Sequence, residues 1–115
     1  MISKELLSSV LGLTVVKGLE LEGIVLWYNG IVNINNQPPY AKELNINIYE
    51  LAHKCKEWAL KHHYKVISKP DNVPGLWEAY VNLSLTSKHG EVADTEPEAI
   101  FKACQWILDK DRKWH

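Results

Sequence analysis

The chain has 115 residues, of which 46% are hydrophobic and 23% charged, and its formal net charge is −1. That length fits one domain, residues 1–115, able to bury a core without metal or disulfide staples. The composition excludes a disordered chain, no apolar run reaches a membrane span, and the balanced charge gives no bulk attraction to nucleic acid or anionic membrane.

Residues 3–11 are predicted as a short helix capped by Ser3, with Leu6, Leu7, Val10 and Leu11 on one stripe and Gly12 as its stop. Glu5 interrupts any apolar start, so no secretory signal is expected and the expected location is the cytoplasm. Residues 13–30 read as strands, strongest in the β-branched and aromatic run 24–28. Asn29-Gly30 is a hairpin signal joining that run to a strand at 31–34. Asn35 to Pro39 reads as a loop, because Pro38-Pro39 cannot continue a ladder.

Residues 47–63 are predicted as a helix with Asn47 and Glu50 as a capping box. Ile48, Leu51, Ala52, Cys55, Trp58 and Ala59 form its apolar face, and Lys54, Lys56, Glu57 and Lys61 its wet one. A strand follows at 64–68, then a turn-rich connector built on Pro70-Asp71-Asn72 and Pro74-Gly75. Residues 77–86 alternate, with Trp77, Ala79, Val81, Leu83 and Leu85 on one face and Glu78, Tyr80, Asn82 and Ser84 on the other. The last helix is predicted over 95–110, capped by Thr95 and Glu98, with Pro97 in its first turn. Ile100, Ala103, Cys104, Ile107 and Leu108 are its core face, and 111–115 a tail containing Trp114. The two long helices share a pattern: Lys54, Trp58 and Leu60 align with Lys102, Trp106 and Leu108. Two amphipathic helices packing on one sheet would produce it without a duplication.

The order helix, strands, helix, strands, helix, with short turns between strands, implies an α+β fold: a mostly antiparallel sheet packed with helices. The two long helices are expected to cover the sheet, with the first on its rim or opposite face.

Few constellations carry chemistry. The histidines His53, His62, His63, His89 and His115 make no close ligand pair with one another or with cysteine, so no metal and no cofactor are expected. Cys55 and Cys104 sit mid-helix on apolar faces and read as reduced core residues. The glycines form no phosphate loop. Glu91, Asp94, Glu96 and Glu98 cluster before the last helix and read as dipole complements. Lys54, Lys56, Lys61 and Lys65 give the middle helix a basic side, but the single arginine, Arg112, makes nucleic-acid binding an unfavoured reading. Trp27, Trp58, Trp77, Trp106 and Trp114 are many tryptophans for this length. Tyr40, Tyr80, Trp114, Pro38 and Pro39 are the candidates for an exposed interaction surface, given how often aromatic residues anchor interfaces.

The segment Gly90-Glu91-Val92-Ala93-Asp94-Thr95-Glu96-Pro97-Glu98-Ala99-Ile100 resembles the closing motif of the phage ABA sandwich proteins. The resemblance covers about residues 45–110. It implies an α–β–α sandwich of phage or mobile-element origin and brings no active site to transfer. Asn47-Ile48-Tyr49 departs from the usual Ser/Thr-Asp cap, and the Pro38-Pro39 loop has no counterpart.

The expected function is a non-catalytic protein-interaction domain that binds a host or phage protein, with a phage or mobile-element origin as the resemblance implies. The alternative is a small-molecule or nucleotide-like binder with a Trp- and Tyr-lined pocket between sheet and helix. A weak enzyme using His62 or His89 as base is the third reading. An edge strand could also pair across a two-fold axis to make a homodimer.

Overall fold

The computed structural model describes residues 2–12, 31–35 and 43–113. Its elements are α1 (Lys4–Leu11), β1 (Ile31–Asn35), β2 (Glu43–Asn47), α2 (Ile48–Lys61), β3 (Lys65–Pro70), β4 (Trp77–Asn82), β5 (Lys88–Ala93) and α3 (Glu96–Lys113). The fold is α+β, and every pairing among the described strands is antiparallel. The predicted strands within 13–30, the Asn29-Gly30 turn, and Pro38, Pro39, Tyr40 and Trp114 lie outside the described residues.

The helix ends follow from local chemistry. The Ser3 hydroxyl accepts a hydrogen bond from the Leu6 amide at 3.1 Å, and Gly12, at φ 67°, donates its amide to the Ser8 carbonyl. Asn47 caps α2 by accepting from the Tyr49 amide at 2.8 Å. α2 ends two residues before the predicted limit, because His63 takes the left-handed position at φ 69°. There the amides of His63 and Tyr64 bond to the carbonyls of Leu60 and Ala59 at 3.0 and 2.9 Å, a Schellman closure without glycine. Thr95 accepts from the Glu98 amide at 3.3 Å, and α3 continues to Lys113, past the predicted 110.

The buried face of α2 is the predicted one: Ile48, Leu51, Ala52, Cys55, Trp58 and Ala59. α3 is buried more widely than its predicted stripe, with Ala99 and Phe101 joining Ile100, Ala103, Cys104 and Ile107, while Leu108, expected on the core face, is only half-buried. Phe101 is hidden because α3 touches all three strands β3, β4 and β5 as well as α2 and α1. Small residues at 52, 55, 59, 103 and 104 let α2 and α3 approach closely, and the Cys104 thiol donates to the Cys55 carbonyl at 3.5 Å. Both cysteines are free and buried, as their helical positions implied.

The sheets differ from expectation in three ways. First, the described strands form two sheets, a β1–β2 ribbon and a β3–β4–β5 sheet, rather than one. β2, which lacks a strong β run in the sequence, pairs along its whole length with β1 and leads directly into α2. Second, β4 stops at Asn82, so Leu83 and Leu85 are not on the packed face; Leu83 is exposed and Leu85 fully so. The Leu83 and Ser84 amides both bond to the Ser87 carbonyl, at 3.0 and 3.1 Å, and reverse the chain. Third, β5 was not predicted, since Lys88, His89, Gly90 and Glu91 are weak strand formers. Its pairing with β4 holds it in place. β3 also runs on into Pro70, which an edge strand tolerates.

Val66, Ala79, Val81 and Ala93 are buried on one face of the β3–β4–β5 sheet. Both long helices lie on that side. The Ser68 hydroxyl accepts from Lys56 of α2 at 2.8 Å and donates to Glu96 of α3 at 3.2 Å. Among the described residues no helix covers the other face. The third layer of an α–β–α sandwich is therefore not supplied by them.

Phe101→Ala is expected to cost about 3–5 kcal/mol of stability, and Leu85→Ala to stay within about 0.5 kcal/mol; urea denaturation of both variants checks the contrast. The adjoining Cys104 side chain, together with burial, pushes the Cys55 thiol well above its ordinary value. A raised acid favours the folded state fully at low pH and loses that contribution as pH rises past the ordinary thiol value of about 8.5. The thiols are expected to stay unreactive to a disulfide reagent at neutral pH until denaturant unfolds the chain, and stability is expected to fall in alkaline buffer less steeply for Cys55→Ala.

Candidate interaction surface

The face of the β3–β4–β5 sheet that no described helix covers is built from three cross-strand rows. The register places Lys65, Asn82 and Lys88 in the first row, Ile67, Tyr80 and Gly90 in the second, and Lys69, Glu78 and Val92 in the third. Alternation explains the composition: each of these residues sits one position from a neighbour that faces the helices. The sequence reading of β4 placed Glu78, Tyr80 and Asn82 together on this polar side, and the structure agrees.

Tyr80 is the centre of the face, half-buried on the central strand. The Lys88 ammonium lies 4.3 Å from its ring centroid and that of Lys69 5.8 Å away. Both fall within the range of cation–π attraction. Lys69 also approaches the Glu78 carboxylate at 3.9 Å. Gly90 leaves a notch beside Tyr80. A Cβ placed there would come no closer than 3.7 Å to anything, the nearest atom being the Glu78 Oε2. Val92 next to it is 40% exposed, and the exposed Leu83 and Leu85 extend apolar surface onto the β4–β5 turn.

Of the predicted contact residues, the structure therefore places Tyr80 on a surface and leaves the other four outside the described residues. Ile67, Lys69, Lys88, Gly90 and Val92 were not singled out from sequence as contacts, and Lys65, expected to add to the basic side of the middle helix, lies instead on β3, beyond the end of α2 at Lys61. The alternation Lys65, Ile67, Lys69 about buried Val66 carried the signal for β3. For β5 nothing did, because the strand itself was not recognised.

The histidines named as possible bases are held by neighbours. His62 meets Asp111 at 3.2 Å and its ring centroid lies 4.5 Å from that of Trp58. His89 shares a hydrogen bond with Glu91 and stacks on Trp106 at 4.2 Å. In the acidic cluster, Glu91 and Glu96 thus have partners in His89 and Ser68. No group of metal-ligating side chains converges among the described residues, and no described helix is long and apolar enough to cross a membrane.

A second concavity of about 340 Å³ lies between the end of α1 and α2, where Ser9, Lys54, Trp58, Lys61 and His62 line it. Trp58 forms its floor, buried, with the indole N–H donated to the Ser9 hydroxyl at 2.8 Å. The C-terminal ends of both α1 and α2 contribute to this groove, which Glu57 also lines, and Lys61 in the last turn of α2 offsets that helix's negative pole. It lies between two helices rather than between sheet and helix. No family model matches the chain, and no match was found among curated proteins or solved structures.

Ser9→Ala is expected to cost about 0.5–1.5 kcal/mol, the net worth of one hydrogen bond, because Ser9 is exposed and water in the concavity can take the place of its hydroxyl on the Trp58 indole N–H. Thermal unfolding of Ser9→Ala beside Ser9→Thr, which keeps the hydroxyl, checks it.

Proposed function

We propose that this chain is a non-catalytic protein-interaction domain that binds its partner through the uncovered face of the β3–β4–β5 sheet. One observation carries the reading: an antiparallel face with Tyr80 at its centre, Ile67 and Val92 beside it, and no helix over it among the described residues. Contiguous apolar surface rimmed by polar groups is the usual character of a binding surface. Tyrosine suits the centre of such a surface, since it offers a large contact area and loses little conformational freedom. Free buried Cys55 and Cys104 support a reducing compartment, with the cytoplasm as its location. The resemblance at residues 90–100 adds a phage or mobile-element origin and a host or phage protein as partner.

The small-molecule reading has a different site, the groove floored by Trp58. The two separate by mutation. Capture from bacterial lysate under native conditions is expected to retain one protein at near-stoichiometric yield with the natural sequence. Tyr80→Ala and Val92→Asp are expected to lose it with thermal stability little changed, while Lys54→Ala and Lys61→Ala retain it. Recovery of the same partner by Tyr80→Ala overturns the assignment of the surface. A bound small mass in native mass spectrometry, lost with the groove variants, moves the function to ligand binding.

A further inference from the structure

The composition of the open face says what kind of segment it accepts, and this inference rests on the protein-interaction reading above. We propose that the partner presents an extended acidic segment, with carboxylates four residues apart and an apolar side chain midway between them.

The argument starts from charge. The face carries Lys65, Lys69 and Lys88 against one carboxylate, Glu78, in a chain whose net charge is −1. Glu78 is already engaged with Lys69. Lys65 and Lys88 meet no carboxylate among the described residues; Lys88 rests on Tyr80 instead. The acidic residues Glu91 and Glu96 are turned to the helix-covered side, where they bond to His89 and Ser68. The surface is thus locally cationic although the molecule is not, and complementary potential selects an acidic partner.

Spacing sets the pattern. Along β3 the face reads Lys65, Ile67, Lys69, a cation at each end and an apolar residue between. The two lysines are separated by four strand steps, about 13 Å. An extended segment lying along β3 has the same rise, so the carboxylate at its first position reaches the unpaired Lys65 and that at its fifth shares Lys69 with Glu78, while its third residue covers Ile67. Across the sheet, the notch at Gly90 gives the segment's flank a place for a side chain between Tyr80, Lys88 and Val92. Gly90 is not in the left-handed region, and an added Cβ meets only ordinary contacts, so the notch can be filled without strain on the fold.

The test uses the full chain, labelled with nitrogen-15, and a peptide whose core is Glu-Thr-Val-Thr-Glu. Saturable shifts centred on Ile67, Tyr80, Gly90 and Val92 are expected, weakening as salt is raised. Lys65→Gln with Lys69→Gln is expected to weaken binding about tenfold or more, and Gly90→Leu to weaken it with thermal stability unchanged. Equal binding of a Lys-Thr-Val-Thr-Lys peptide, or indifference to the lysine substitutions, overturns the proposal. So does preferential binding of oligothymidylate, which would make the face a nucleic-acid platform. If the lysate partner is lost with Tyr80→Ala but the acidic peptide does not bind, the acidic assignment alone falls. If the natural partner is indifferent to Tyr80 and Val92, the interaction surface itself is wrong.

Discussion

The structure depends on the close crossing of α2 and α3. At that crossing the Cys104 thiol reaches the backbone carbonyl of Cys55 at 3.5 Å, a contact possible only where neither helix carries a large side chain. Ala52, Ala59 and Ala103 keep the rest of the seam small. A helix pair this tight presents one continuous apolar surface, and Phe101, Ile100 and Ile107 fill the space around it. A larger residue at 55 or 104 would force the helices apart, an overpacking that typically costs about 1–3 kcal/mol.

From that pair the sheet takes its orientation. Ser68 is the point of attachment, bonded to Lys56 on one helix and Glu96 on the other. It fixes which face of β3 turns inward, and the register of the sheet carries the choice to β4 and β5. At the far edge, His89 stacks on Trp106, and Lys102 donates to the Val92 carbonyl at 3.0 Å. These α3 contacts hold a strand whose own residues have little preference for one. They also occupy a carbonyl that an unguarded edge strand would offer to other chains.

One-sided packing has a consequence for the surface. With both long helices on one side, the residues one position out of phase form a surface of their own. On that surface lie Tyr80, Ile67, Val92 and three lysines, while Glu91 and Glu96 fall on the helix side. The separation of charge is therefore a product of strand alternation as much as of composition. A chain that looks electrostatically neutral carries a cationic face.

Local sequence determined the helices of this protein. Ser3, Asn47 and Thr95 act as caps, Gly12 ends α1, and the apolar spacing of α2 matches its buried face residue for residue. Those features act within one or two turns, so they are readable from neighbours in the chain. The outward position of Tyr80 followed equally from alternation along β4. What the sequence could not decide was where β4 ends and that β5 exists. Leu83 and Leu85 continued the alternation into a turn that bonds to Ser87, and the segment 88–93, led by Lys88, His89, Gly90 and Glu91, becomes a strand through pairing with β4 and contacts from α3. Pairing between strands is a non-local interaction, and it overrides weak intrinsic preference. The same holds for the open face: Lys65, Tyr80 and Gly90 become one surface only when three strands align, and no single segment contains that information.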